Sequence, residues 1–301
     1  MSSVLVLLFA FLISGEQYSN VVSIFDLGMG ARPLAMGGAF VGLADDGNAL
    51  FYNPAGLAYG QGISVLSSYE ARPGMASYGN VSASLPYFGF GVHYFDFGDV
   101  PETDGFGNIL GTFRYRNYTL IAAVGIKAAD LPFLARMSLA ENIGFGLKAK
   151  LLKVGTLDPG KGTGFAIDLP FLFCSESASP RLPIITSYGF GFVIENVIRL
   201  PIKYESGHQE SWPRKVIIGM SFGLLDQVIL AMDITSKKNF HLGIEWTPIS
   251  AVSFRTGLKK ENVWMWSLGI GVRYGDFAFD YALVRHPYLN NQLRASLTVF
   301  W

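Results

Sequence analysis

The residues of this chain that could do chemistry are few and far apart. Asp45 and Asp46 stand side by side in "GARPLAMGGAFVGLADDGNALFYNPAGLAYG", which runs from Gly30 to Gly60. Two carboxylates could hold a cation or divide acid and base work between them. Neighbours in sequence rarely converge on one substrate, however, and Asp-Asp-Gly-Asn is a strong turn signal. The four histidines, His93, His208, His241 and His286, lack metal-ligand spacing. Cys174 is the single cysteine, which rules out an internal disulfide and a cysteine-based zinc cluster. Neither a G-x-S-x-G elbow nor a P-loop occurs. Gly28 and Gly30 begin a G-x-G-x-x-G, but Pro33 stands at its third position. No cofactor or metal is expected, and a hydrolase would require a serine beside His93 or His241.

The composition points away from a soluble enzyme. Half of the 301 residues are hydrophobic and 15% are charged, against about 25% charged in an ordinary soluble domain. Much of the surface is therefore expected to face something other than water. Net charge is zero, so nothing argues for nucleic acid as a partner. The 35 glycines and 24 phenylalanines are both numerous, a pairing common in β-rich membrane proteins. The apolar run Val4 to Ile13 has the length of a signal-peptide core and is too short to span a bilayer. A signal peptide over 1–19 is expected, although no Lys or Arg precedes the run. A misassigned start and a buried N-terminal segment are the alternatives.

Alternation repeats to the last residue. Trp264, Trp266, Leu268, Ile270, Val272 and Tyr274 fall on one face of "WMWSLGIGVRY", with Ser267, Gly269, Gly271 and Arg273 opposite. The same split separates Leu293, Ala295, Leu297 and Val299 from Arg294, Ser296 and Thr298. A period of two over segments of about ten residues is the signature of a transmembrane β-strand. Fourteen such segments are predicted, at 62–70, 76–86, 88–98, 112–127, 142–154, 163–173, 187–196, 213–222, 226–235, 239–247, 250–259, 264–274, 276–285 and 292–301. The fold class is all-β, a transmembrane antiparallel barrel of about 14 strands over residues 62–301. Twelve or sixteen strands are the alternatives. A soluble sandwich would bury Trp264 and Trp266 and carry more charge outside. Tight turns are expected near Lys237 and at Gly275-Asp276, and long loops from Gly98, Gly155 and Arg199.

The polar faces carry Asp233, Glu245, Arg255, Arg273, Asp280 and Arg294, with Lys148, Lys150, Asp168 and Glu195 in earlier strands. Acids and bases on neighbouring strands can pair across the lumen. Either they fill the barrel as a polar network or they line a passage. Many glycines share that face, among them Gly191, Gly243 and Gly257, leaving room for another piece of backbone. Residues 20–61 precede the first strand and are expected to be that piece. There Ala49 to Tyr52 reads as a helical turn, Pro54 pushes Asn53 out of it, and Gly56 is a candidate positive-φ cap.

The stretch "LGMGARPLAMGGAFVGLADDGNALFYNPAGLA" resembles the N-terminal signature of the FadL-like outer-membrane superfamily, most of all its PorV/PorQ branch. The matching residues are Gly30 to Arg32, Met36-Gly37-Gly38-Ala39, Asp45-Asp46, and Asn53-Pro54-Ala55-Gly56-Leu57. Asn196, Pro213 and Gly219 are similar to a second, looser feature of that family. The resemblance implies a fourteen-stranded barrel in the outer membrane whose N-terminal segment folds into the lumen as a hatch. It also implies the hatch residues Arg32, Met36, Gly37, Gly38, Asp45, Asp46, Asn53, Pro54 and Gly56. In the PorV branch the barrel is a partner of cargo and machinery in type IX protein secretion. In the FadL branch it carries long-chain fatty acids or other hydrophobic small molecules, which leave sideways through the wall. The expectation here is a non-enzymatic secretion partner in outer-membrane lipid, with the hydrophobic-ligand conduit as the alternative. A charge-filled lumen would favour the first, and a continuous apolar pocket behind the hatch the second.

Overall fold

The structure, a computed structural model, describes residues 27–72, 76–157, 160–175 and 184–301. The expected signal peptide lies outside the described residues. So do the first residues of the expected hatch.

Seven strands form one arc of the wall: β1 (Ser64–Arg72), β2 (Ala76–Leu85), β3 (Phe88–Thr103), β4 (Ile109–Lys127), β5 (Ile143–Gly155), β6 (Gly162–Ser175) and β7 (Ile185–Tyr204). A two-residue return, β8 (Gln209–Glu210), pairs with the end of β7. The other arc holds β9 (Lys215–Leu224), β10 (Val228–Thr235), β11 (Phe240–Ile249), β12 (Val252–Lys260), β13 (Trp264–Tyr274), β14 (Phe277–Arg285) and β15 (Gln292–Phe300). Each pairs antiparallel with its neighbours in the chain; β7 passes directly to β9, and β1 pairs with β15 from Ser64↔Phe300 to Ala71↔Leu293. Leaving β8 aside, fourteen strands close a ring without a free edge, so backbone hydrogen bonds are satisfied around the wall.

Side-chain alternation decides which face is which. β13 exposes Trp264, Trp266, Leu268 and Ile270 and buries Met265, Ser267 and Gly271. β15 buries Arg294, Ser296 and Thr298. Phe90, Leu120, Leu151, Phe254 and Phe279 also stand outward and exposed. The surface is thus apolar outside and polar inside, the reverse of a soluble protein.

Every predicted strand is present, and the differences lie at the ends. The stretches from Gly98 and Arg199, expected as loops, are largely strand: β3 and β4 run on past their neighbours, and β7 extends to Tyr204. Beyond Asp96 β3 has no partner in β2, and before Arg116 β4 has none in β5. Residues 97–115 therefore rise as a two-stranded arm. Its tip exposes Phe106, Ile109 and Leu110, and Arg114 and Arg116 bond Asp99 and Asp96 across it. Extra cross-strand pairing favoured strand over loop there.

Turn lengths do not divide cleanly between rims either. The short turn at Lys237, with Lys238 at φ 63°, shares the arm's rim. The opposite rim has tight turns at 86–87, 250–251 and 275–276 and also the longer connection 128–142, folded into two short 3₁₀ turns. The chain end closes on this rim, where Trp301 N–H donates to Ile63 O at 2.8 Å and Ile63 N–H to Trp301 O at 3.0 Å.

A ring with no edge strand should resist dodecyl sulfate until heated. Unboiled protein extracted in mild detergent should migrate faster than boiled protein on a gel; a single band at the boiled position would contradict the closed wall.

Candidate functional site

Residues 27–60 lie inside the ring as short pieces of irregular backbone. Ala31–Ala35 is a short helix, Ala49–Tyr52 a single helical turn, and Pro54–Tyr59 a 3₁₀ stretch capped by the Asn53 side chain. Asn53 has left the helical region (φ −152°, ψ 87°), as a residue before proline should. Such a segment has few internal ladder bonds, and buried backbone groups need partners. Wall side chains supply them. Asp233 accepts from the N–H groups of Phe40 (2.9 Å) and Val41 (3.0 Å). Ser267 donates to Ala35 O, Ser221 to Gly42 O and Lys148 to Phe51 O. His241 Nδ1 lies 2.7 Å from Gly37 O.

The strongest anchor is Arg32. Its fork makes five charge-assisted contacts, the number of N–H donors a guanidinium has. Nε and Nη2 bond the two oxygens of Glu245 at 2.8 Å each, Nη1 bonds Asp45 (2.6 Å) and Asp46 (2.8 Å), and Nη2 bonds Asp45 (3.1 Å). Glu245 also accepts from Arg255, which bonds Asp280 at 2.6 Å. A chain of charges therefore runs from the turn at Asp45-Asp46 through Arg32 into β11, β12 and β14. Asp46 additionally fixes the Asn48 side chain and N–H.

A second anchor holds the start of the segment. Arg294, with no exposed side chain, pairs with Glu70 and donates to Gly28 O at 2.8 Å and Leu27 O at 3.1 Å. Its guanidinium lies over Tyr78 at 4.8 Å, and the Tyr78 hydroxyl donates to Gly28 O. A third lies at the β5–β6 seam. Asn53 Nδ2 donates to Val41 O (2.8 Å) and Phe171 O (3.0 Å). Beside it Lys148 and Lys150 pair with Asp168 at 3.0 and 2.7 Å, and Lys150 also reaches Asn196.

The inward glycines let the segment come this close. A Cβ at Gly191 would meet Val41 O at 2.0 Å, and one at Gly257 would meet Gly37 N at 2.2 Å. Met36 is fully buried with its Cα and Cβ against Gly243, and Gly38 faces His241. Pro54 O lies where a Cβ on Gly125 would stand. Gly56 is needed for space rather than for a positive-φ cap: it sits inside the 3₁₀ stretch with Ala44 O at 2.1 Å from a would-be Cβ.

The structure brings Glu245, Arg255 and Asp280 into one network with Arg32, and places Asp233 and Arg294 at separate anchors. Arg273 joins neither: it is exposed at the turn rim, its guanidinium 4.5 Å from the Phe300 ring. Ser267 and Ser296 stand inward, as the alternation of β13 and β15 placed them, whereas Glu70 was not singled out from sequence. Nor is the lumen uniformly charged. The arc from β2 to β7 packs Tyr78, Leu152, Val154, Ala166 and Ile202 together with Trp212 of the connection to β9, and the segment's Met29, Leu50, Phe51 and Leu57 lie on Ile121 and Ala123.

Two cavities flank the segment. The one toward the arm rim, about 100 Å³, is lined by Met29, Phe51, Met265 and Val284 with Lys215, His241 and Lys259 among them. The one toward the turn rim, about 360 Å³, is polar and lined by the Arg32 network with Ser64, Ser84, Ser253 and Thr298. Among the described residues no cluster of three His, Cys, Asp or Glu could hold a metal ion.

No protein-family model matches the chain, and no curated protein matches it in sequence. Solved structures do match in fold. CymD, a monoaromatic hydrocarbon channel, is 11% identical with a TM-score of 0.62, over 91% of this chain and 98% of that one. The toluene transporter TodX of Pseudomonas putida is 12% identical with a TM-score of 0.56, over 90% and 97%. A FadL homologue of Pseudomonas aeruginosa is 10% identical, also at 0.56, over 90% and 97%. At such identities the likeness shows a shared fold. The fold is that of FadL-type barrels, and nothing in the comparisons singles out the PorV/PorQ branch.

Arg32→Ala leaves Glu245, Asp45 and Asp46 without their shared cation. A loss of about 3 kcal/mol is expected, at the low end for breaking a buried pair because Asp45 is partly exposed. Arg32→Lys keeps the charge but not the fork and should fall between. Hydrogen exchange of residues 28–60 reads this directly: unchanged protection in Arg32→Ala would remove Arg32 from its role as anchor. Asn53→Ala, which orphans Val41 O and Phe171 O, should cost about 1–3 kcal/mol by the same measurement.

Proposed function

We propose that this protein is a non-enzymatic outer-membrane barrel that admits small hydrophobic molecules past an interior hatch formed by residues 20–61. The observation that carries the reading is the interior segment, which separates a partly apolar cavity on the arm side from a polar one on the turn side. Many of its contacts with the wall are hydrogen bonds and ion pairs, which water can replace one at a time. Such contacts suit a part that shifts without unmaking the barrel.

The apolar outer face supports placement in a bilayer. Strands of about ten residues tilted by about 45° match an apolar band about 25 Å tall, and Trp246, Trp264, Tyr274 and Trp301 stand outward near strand ends, where amphipathic rings favour the interface. With the arm outside, the turn rim and chain end would face the periplasm. The apolar arc of the lumen and the named roles of TodX and CymD support a hydrophobic cargo over the secretion-partner role. The second reading, a docking partner in protein secretion, is supported by the exposed apolar tip of the β3–β4 arm. His93 is stacked on Phe51 and bonded to Tyr78 and His241 holds the hatch, so both serve packing rather than hydrolysis.

Cells carrying the barrel should take up labelled toluene faster than cells with an empty vector; equal rates would sink the conduit reading. In proteoliposome swelling, the wild-type barrel should pass glucose slowly and Arg32→Ala several-fold faster, since the hatch loses its main anchor. Identical swelling rates would mean that the segment does not govern passage.

A further inference from the structure

We propose that the outer face of β12–β14 at the arm rim is a seat for the phosphate headgroup of an anionic lipid. The proposal rests on the reading that the barrel spans a membrane. Lys260 is the last residue of β12 and Arg285 the last of β14, and β13 between them turns Trp264 and Trp266 outward. In register, Lys260 stands opposite Trp264 and Arg285 opposite Trp266. The Lys260 ammonium lies 5.4 Å from the centre of the Trp264 ring, within cation–π range. Adjacent strands are about 4.8 Å apart and the two positions are offset by two residues along β13, so the two cations spring from backbones about 12 Å apart with both indoles in the gap.

Three observations point to a phosphate. Neither cation has an ion-pair partner among the described residues, whereas inward Lys259 next door is held by Glu261 at 2.6 Å. The outward cations of the strands, Arg114, Arg116, Lys153, Lys203, Lys260 and Arg285, all lie toward the arm rim. The opposite rim ends its outward faces in apolar and aromatic residues such as Trp246, Tyr274 and Phe277. That asymmetry matches a bilayer whose leaflet at the arm rim carries the negative charge. The chemistry within the patch is also complementary: the indoles settle at the level of the glycerol or sugar backbone, and Arg and Lys reach upward to the phosphate oxygens. A phosphorylated glycolipid with two phosphates would engage both cations at once.

Native mass spectrometry of the full-length barrel in mild detergent, titrated with diphosphoryl lipid A, tests this. Wild type should retain the lipid at concentrations roughly ten to thirty times lower than the double variant Lys260→Gln/Arg285→Gln requires. The variant Arg114→Gln/Arg116→Gln removes as many outward charges, but ones already engaged by Asp99 and Asp96, and should bind like wild type. Equal retention by all three proteins would overturn the proposal. So would displacement of the lipid by inorganic phosphate at matched phosphate concentration, which would make the patch a site for free anions. Heat-modifiable migration of each variant confirms that its barrel is folded. Flotation of wild type with liposomes separates the two readings: a barrel that does not float fails as a membrane protein, whereas one that floats without lipid preference fails only here.

Discussion

The constraint on which this architecture depends is that backbone N–H and C=O groups away from water must find partners. The wall meets it by closing on itself. The interior segment cannot, because its short helical pieces leave many carbonyls and amides unused. The inward side chains of the wall are what they are because of that need. Serines at 221 and 267, Asp233, His241 and Lys148 each reach a backbone group of the segment. The polar lumen is thus a complement to a particular piece of chain rather than a generic hydrophilic lining.

Charge follows the same logic at higher stakes. Arg294 and Glu70 are both fully enclosed, and unpaired charges there would be untenable. Arg32 ties two turn carboxylates to Glu245, and Arg255 passes the connection on to Asp280. Directional bonds hold the segment on both arcs, with Asn53 and Phe51 bonded to β6 and β5 as Arg32 is to β11, and apolar contacts accompany them on both, through Leu50 and Phe51 on one side and Leu34 and Ala35 on the other. The bonds fix position and the apolar contacts supply non-directional adhesion. A molecule moving along the barrel would meet both.

Much of this was legible in the sequence. Period-two alternation located every strand of the ring because its two faces differ so sharply in polarity, and inward glycines such as Gly191 and Gly257 announced a second backbone. Strand ends were less legible: Phe97 to Thr103 carries turn residues, Gly98 and Pro101, yet pairs with β4 because an antiparallel partner was at hand. The single lumen network expected from Asp233 to Arg294 resolved into separate anchors, since spacing along strands says nothing about where an irregular segment will bring its amides. Arg273 shares the inward parity of β13 but sits at its rim, where the segment does not reach. Glu70 went unnoticed because one acid in a short strand has no pattern of its own until the partner, Arg294, is known to lie opposite it in register.

The anchors of the interior segment lie far along the chain from the residues they hold. Arg32 and Glu245 are 213 positions apart, and Gly28 and Arg294 are 266. Contacts of such high sequence separation form late, because the loop they close is most of the protein. The segment, made first, can lie on β4 to β7 early, but Arg32 and Gly28 have no partners until β11 and β15 exist. It must wait, partly unsatisfied, while the wall is laid down strand by strand, and be enclosed when β15 reaches β1. Completion of the segment's anchors is thus tied to closure of the ring. Assembly from the C-terminal end would present the wall's polar side chains first, with a template ready for the segment to enter.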